Sequence, residues 1–350
     1  MGATGAFAAG GDPPRRVVST NLCTDQMAML LAAPGQLVSV GYLARDRVSS
    51  ALSHEAAAYP VNHGQAEEIA FLRPDLVLAG AHGNPATIAM LERLGIPVAR
   101  FAPEASLADI RANLRAMGAV MGRAARAEEL IALMDARLDA LAARLPADRP
   151  LGAVYYSGGY TAGSESLAGD MLRAAGIDNL AERLGMTWGG TLSLEQLVLS
   201  RPDTIVRGQR YGGHSRGEEM LTHPVLARYM AARAEGHEDA PPADATSYDR
   251  VLSHAGHSDA DPSNPELSDA EPSKVGPSQV EPSAPSPSDT PSVAMTPALS
   301  PAGRATYSPA DPIGPETTPA WVCGTPLVAA AIADLARVVH GLPPTGGETP

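Results

Sequence analysis

Apolar positions between Arg16 and Phe101 follow two alternating periods. RVVST (16–20), QLVSVGY (36–42), LVLAG (76–80) and IPVARF (96–101) are short runs of β-branched and aliphatic residues, the signature of buried strands. Between them DQMAMLLAA, EEIAFL and NPATIAMLERLG carry helical spacing; the last has Asn84 at its N-cap, Pro85 at its first position and Gly95 as its stop. Strands alternating with helices of about 10–12 residues predict a βαβ lobe with a parallel sheet over 16–122.

The rhythm breaks at 124–145. AARAEELIALMDARLDALAARL places Leu130, Met134, Leu138, Leu141 and Leu145 at steps of four and three, one apolar stripe on a long helix that Pro146 and Pro150 terminate. Such a helix, over 123–146, is able to bridge two lobes. The alternation then restarts with LGAVYYSGG (151–159) as strand, LAGDMLRAAG and LSLEQLVLS as helices, TIVRG (204–208) as strand and EEMLTHPVLARYMAARA (218–234) as helix. AWVCGTPLVAAAIADLARVVHG (320–341) adds a short strand and an amphipathic helix. The chain is therefore predicted to be α/β, two Rossmann-like lobes with parallel sheets joined by one long helix, the second lobe spanning 150–341.

One pattern occurs twice. EEIAFLRPDLVL (67–78) and EQLVLSRPDTIV (195–206) align without a gap, Glu67 with Glu195 and Arg73-Pro74-Asp75 with Arg201-Pro202-Asp203. In each a short helix is ended by Pro, and the following Asp can hold a backbone N–H as the chain turns into a strand. A single Arg-Pro-Asp is simply a good corner. Two in matching positions point to a duplicated lobe or to two lobes under one constraint.

Composition changes the picture at 235–318. This stretch is Pro, Ser, Asp, Glu and Ala with almost nothing to bury, and it is expected to be a disordered insertion within the second lobe. Its 14 acidic residues against Arg250, Lys274 and Arg304 supply −11 of the formal −13, so the rest of the chain is near neutral and gives no reason to expect nucleic acid. No run of 18 apolar residues exists to span a membrane. Residues 1–15 include GAFAAGG, similar to the end of a secretory leader, and are read as a leader remnant.

RVVSTNLCTDQMAMLLAAPGQLVSVGYLARD, EEIAFLRPDLVLAG with ERLGIPV, GDMLRAAGIDNLAERLG, LSLEQLVLSRPDTIV and AWVCGTPLVAAAIADLA together, in this order, resemble the periplasmic substrate-binding proteins of ABC importers for cobalamin and ferric siderophores. The resemblance covers about 16–234 and 319–341. It implies two α/β lobes joined by one rigid helix, a ligand held in the cleft between them, a periplasmic location, and ABC permease subunits of the inner membrane as partners. In cobalamin-binding members one glutamate on each lobe docks onto permease arginines; Glu67 and Glu195 are the matching positions. The alternative for each is a solvated helix start favoured by the helix dipole.

In a parallel α/β lobe, ligands sit beyond the carboxyl ends of strands. The candidates are then Asn21 to Asp25, with Cys23 and Asp25 singled out, Tyr42, Ala81 to Gly83, Tyr160, Arg207, Arg210, Tyr211 and Cys323 to Thr325, together with the loop aromatic Trp188. Trp188 suits stacking on a flat macrocycle, and Arg207 and Arg210 suit an anionic chelate. His63 is read as a loop or capping residue. No pair of histidines outside the insertion has metal-ligand spacing, so no metal site of the protein's own and no cofactor are expected; a cobalt or iron chelate would be the ligand itself, whether cobalamin, cobinamide, haem or a ferric siderophore. Cys23 and Cys323 are expected to be free buried thiols, because a bond across the cleft would restrict its opening. A disulfide, which an exported chain allows, and contact with the chelate are the alternatives.

A monomeric binding protein without catalysis is the leading expectation. Nitrogenase-like enzymes that handle metal clusters or tetrapyrroles also pair α/β lobes, but no Walker GxxxxGK[ST], CxxC or HExxH occurs. A scaffold role would rest on the acidic insertion alone.

Overall fold

The computed structural model describes residues 12–209, 221, 223–234 and 315–343, all of them in one compact unit. Five parallel strands build the first sheet: β1 (Val17–Ser19), β2 (Leu37–Gly41), β3 (Val61–Asn62), β4 (Leu76–Gly80) and β5 (Val98–Phe101), in the order β3-β2-β1-β4-β5. The crossovers are α1 (Leu22–Leu31), α2 (Ser53–Ala56) with α3 (Ala66–Phe71), and α4 (Pro85–Arg93); α5 (Leu107–Val120) follows. Asn21 caps α1 by accepting the Cys23 N–H at 3.0 Å, and Asn84 caps α4 by accepting that of Ala86 at 2.9 Å. β3 and α2 are too short for a periodic signal and were not foreseen.

The long helix α6 (Ala124–Ala142) buries Ala127, Leu130, Ile131, Met134 and Leu141. Its 19 residues span about 28 Å at ~1.5 Å per residue. It packs on α5 of the first lobe and on α11 (Val328–His340) of the second. One apolar cluster therefore runs through the first lobe, the bridge and the second lobe, including Met27, Leu114, Leu130, Leu172, Val328 and Leu335.

In the second lobe β6 (Leu151–Tyr155), β8 (Asp178–Asn179) and β10 (Thr204–Arg207) form a parallel sheet in the order β10-β6-β8. Helices α7 (Leu167–Ala174), α8 (Leu180–Arg183) and α9 (Leu194–Leu199) connect them, and α10 (Pro224–Ala234) follows. The strand expected over 151–159 ends at Tyr155, and a small antiparallel pair, β7 (Tyr160–Ala162) with β9 (Gly189–Thr191), follows it. Gly158 and Gly159, at φ +73° and +76°, supply the reversal into it.

The repeated Arg-Pro-Asp is one piece of architecture used twice. Arg73 and Arg201 are the non-glycine residues with positive φ among the described residues, each at +49°. Pro74 and Pro202 are buried behind them. The Asp75 amide then donates to Arg16 O (3.0 Å), while its carboxylate accepts the amides of Arg15 (2.8 Å) and Arg16 (2.9 Å). In the second lobe the Asp203 amide donates to Leu151 O (2.7 Å), and its carboxylate accepts the Leu151 amide (2.7 Å). Each Asp latches the strand it opens to the start of the neighbouring parallel strand, a longer-range partner than a local turn.

Two expectations change. Residues 320–323 are not a strand; Pro319–Trp321 is a 3₁₀ turn, consistent with a proline that has no N–H to give a ladder. The edge partner of β10 comes earlier and is minimal. Arg207 N–H donates to Pro315 O and Thr317 N–H to Arg207 O, 2.8 Å each, with a parallel bridge to Glu316. Residues 315–318, which composition assigns to the insertion, thus belong to the second lobe.

Candidate functional site

The carboxyl ends of β1, β4 and β5 and the segments after β6, β7 and the 3₁₀ turn face one another across a cavity of about 780 Å³. The first lobe contributes Thr20, Asn21, His63, Gly64, the Ala81–Asn84 loop and the segment from Phe101 to Glu104; the second contributes Tyr156, Tyr160, Ser166 to Ala168, Trp321, Val322 and Gly324. Cys23 also lines it and is joined to Cys323 by a disulfide, Cα to Cα 5.1 Å, with no free cysteine left. The bond ties the first turn of α1 in one lobe to the turn before α11 in the other. The free buried thiols expected at Cys23 and Cys323 are thus replaced by a cross-lobe bond, because the two loops meet at one place, and neither sulfur is available to a metal chelate.

The family model for periplasmic binding proteins matches residues 17–237, which takes in the first lobe, the bridge and most of the second. The chain belongs to the periplasmic binding protein family. It is 28% identical over 199 residues to a cobalamin-binding protein of Halobacterium salinarum, found in strains R1 and NRC-1, covering 56% of this chain and 54% of that protein. The chain thus spans about half the length of the curated relatives it matches. Among solved structures it is similar to the periplasmic heme-binding protein RhuT from Roseiflexus sp. RS-1 in apo form, at 25% identity and TM-score 0.50 over 61% of this chain and 84% of that one. It is also similar to the periplasmic heme-binding protein HutB of Vibrio cholerae, at 19% identity and TM-score 0.52 over 64% and 87%. These likenesses agree with the two-lobed α/β fold.

In this periplasmic binding protein the cavity wall carries three groups with chemistry. His63 follows β3; its backbone N–H donates to Glu68 Oε2 at 2.7 Å, and its Nδ1 lies 3.2 Å from Glu68 Oε1. With the Nδ1 proton given to that carboxylate, Nε2 keeps the ring's lone pair. The outer face of the ring stacks on Tyr42, centroids 5.5 Å apart at 21°. Opposite, Tyr156 and Tyr160 pack against each other at 6.2 Å, and the Tyr160 hydroxyl donates to Trp188 O at 3.4 Å. Glu104 is pressed on Gly324, where a Cβ would stand 2.5 Å from the Glu104 Cβ. Burial raises its pKa above the ordinary carboxylate value, against the Asn113 amide that donates to Oε1 at 2.7 Å.

The structure sorts the sequence candidates. Tyr160 and Cys23 line the cavity, Cys23 as a disulfide sulfur. Cys323 is buried beneath the wall beside its neighbours Val322 and Gly324. Tyr42 does not reach the cavity and instead backs His63. Trp188, 67% exposed, lies outside the lining and holds Tyr160 through its carbonyl. Arg207 is buried on β10, 3.0 Å from Glu316, so its charge is spent on the sheet edge. Asp25 is fully buried below Gly41, whose Cβ would stand 2.8 Å from Asp25 Oδ2. Burial pushes the Asp25 pKa up to about 7; Ser19 and the Gly41 amide oppose this, but neither carboxyl oxygen has a partner in hydrogen-bonding geometry. Arg210 and Tyr211 lie outside the described residues, as do Gly213, Ser215 and Gly217, which have the spacing of a nucleophile elbow.

Sequence reasoning read His63 as a loop or capping residue and passed over Tyr156 and Glu104. The signal for His63 was a carboxylate five residues on; the other two simply follow strand ends by one and three residues. Among the described residues no group of three His, Cys, Asp or Glu is placed to hold a bare metal ion, and no helix is long and apolar enough to cross a membrane.

Proposed function

We propose that this chain captures one metal chelate of the tetrapyrrole class, haem or a corrinoid, between its lobes outside the inner membrane and hands it to an ABC permease. The observation that carries the reading is the cavity at the strand ends, with a histidine aligned by a carboxylate on one wall and a pair of tyrosines on the other. A volume near 780 Å³ is within the usual range for small-molecule sites, about 300–1,000 Å³. A carboxylate on Nδ1 is the common support for a histidine that ligates metal through Nε2, and it leaves His63 suited to an open axial position. The names of the relatives, cobalamin-binding and heme-binding, support the same ligand class. A disulfide agrees with residence in an oxidising compartment, the periplasm.

Docking falls to Glu67 and Glu195, both exposed in the first turns of α3 and α9. The protein works as a monomer and catalyses nothing. The deciding experiment is a titration of the purified protein with hemin, dicyanocobinamide, cobalamin and a ferric catecholate, followed by absorption spectra and tryptophan fluorescence. Saturable one-to-one binding of hemin or a corrinoid is expected. Binding of the ferric catecholate alone, or of none of the four, would overturn the ligand class.

A further inference from the structure

Folding uses the repeated segments differently from the way it uses their surroundings. On α3, Ile69 is buried; on α9, Leu197, its counterpart in the repeat, is buried too. Two residues later the chain places a large apolar side chain in water at both sites: Phe71 is 87% exposed and Leu199 is 66% exposed. Phe71 follows Glu67 by four residues and Leu199 follows Glu195 by four, so each apolar side chain stands one turn from its glutamate on the same helix face. Arg73 and Arg201, exposed and fixed in the same left-handed conformation, close each patch.

A single exposed apolar residue needs no explanation. Here two stand at equivalent points of a duplicated frame whose corner conformation and Asp latch also match. Neither contributes to a core, and no other structural use is visible for either among the described residues.

We propose that Phe71 and Leu199 are the apolar anchors of a two-point docking surface, each filling a socket on one of two equivalent subunits of a membrane permease. This rests on the importer reading above and adds to the glutamate contact. The occupant follows from the repetition: two patches of the same chemistry, glutamate beside an apolar knob beside an arginine, one per lobe, fit a partner that presents two equivalent sockets, each with an apolar floor and a cation facing the glutamate. Large side chains seated in desolvated pockets carry most of the energy of such interfaces, with the ion pairs around them setting orientation.

The test installs a photo-crosslinking amino acid at Phe71 and, in a second strain, at Leu199 of the full chain in cells, with Leu133 on α6, 48% exposed, as the control. Both positions should link to the same ABC permease polypeptide, and the control should not. Links to different polypeptides, to a second copy of this chain, or to nothing would each overturn the proposal. As a second arm, Phe71→Ala and Leu199→Ala should each weaken binding to the importer in nanodiscs about tenfold, and the double variant about a hundredfold; unchanged affinity would overturn it. Hemin and dicyanocobinamide titrations of the same variants should match the wild type. If the wild type takes up neither chelate, the ligand class fails while the crosslinks still decide the docking.

Discussion

Arg73 and Arg201 adopt the same left-handed backbone conformation, φ +49° in each, although 128 positions separate them in the chain. Each ends a six-residue helix, each precedes a buried proline, and each delivers an aspartate to the start of a neighbouring strand. A residue with a Cβ is strained in that conformation, and a β-branched one more so.

Arg73→Val and Arg201→Val should therefore each destabilise by about 1–2 kcal/mol. The glycine variants should be at least as stable as wild type by urea denaturation. Equal stability of Val and Gly at these sites would show that the corner is not held in its left-handed form.

Asp75→Ala and Asp203→Ala should each lower stability by about 1–3 kcal/mol, since backbone amides at the start of β1 and β6 lose their acceptors. Asn in place of either Asp should recover part of the loss. Denaturation midpoints at constant slope check both.

The disulfide closes a loop with a sequence separation of 300, so reduction should cost about 2–5 kcal/mol. Thiol titration of the denatured protein should find none before reduction and two after it. Any free thiol in the unreduced protein would contradict the cross-lobe bond.

Asp25 fixes a pH dependence. Its carboxyl holds a proton up to about pH 7 in the folded protein, but the unfolded chain releases it near 3.8. The folded state therefore binds more protons between those values, and stability falls as pH rises from about 4 to 7, then levels. Asp25→Asn should remove this penalty. It should be more stable than wild type at pH 8, by at most about 4 kcal/mol, with the pH-dependent gap closing toward pH 4.

His63→Ala should weaken hemin binding at least about tenfold and change the Soret band, as loss of an axial ligand does. Glu68→Gln should weaken it less while leaving the spectrum close to wild type. An unaltered Soret band in His63→Ala would remove the histidine from the site.

Removal of residues 238–314 should leave chelate affinity unchanged, whereas extending the cut through Thr317 should destabilise the protein. The longer cut takes away Glu316, ion-paired with the buried Arg207, and the Pro315 and Thr317 bonds that complete the edge of β10. Circular dichroism melts of the two deletions compare them directly.

Local periodicity determined the elements of this protein. LVLAG is a strand with the expected limits, Asn84 caps its helix, the stripe on 124–142 is the buried face of the bridge, and the two Arg-Pro-Asp corners mark equivalent places in two lobes. These features depend on neighbours within a few residues, so one sequence carries them. Tertiary structure alone decided which strand-end residues meet. Cys23 and Cys323 are 300 positions apart, and only the winding of two parallel sheets around α6 brings their loops to one place. The same winding turned Arg207 toward Glu316 and buried Asp25 under β2, while it set His63 and Tyr160 on opposite walls of the cavity. Residue type and proximity to a strand end made all of them except His63 candidates, and His63 was read as a loop or capping residue. Which way each side chain points is fixed by the pleat, the crossover and the packing of the opposite lobe, and none of these is written within a few residues of the side chain concerned.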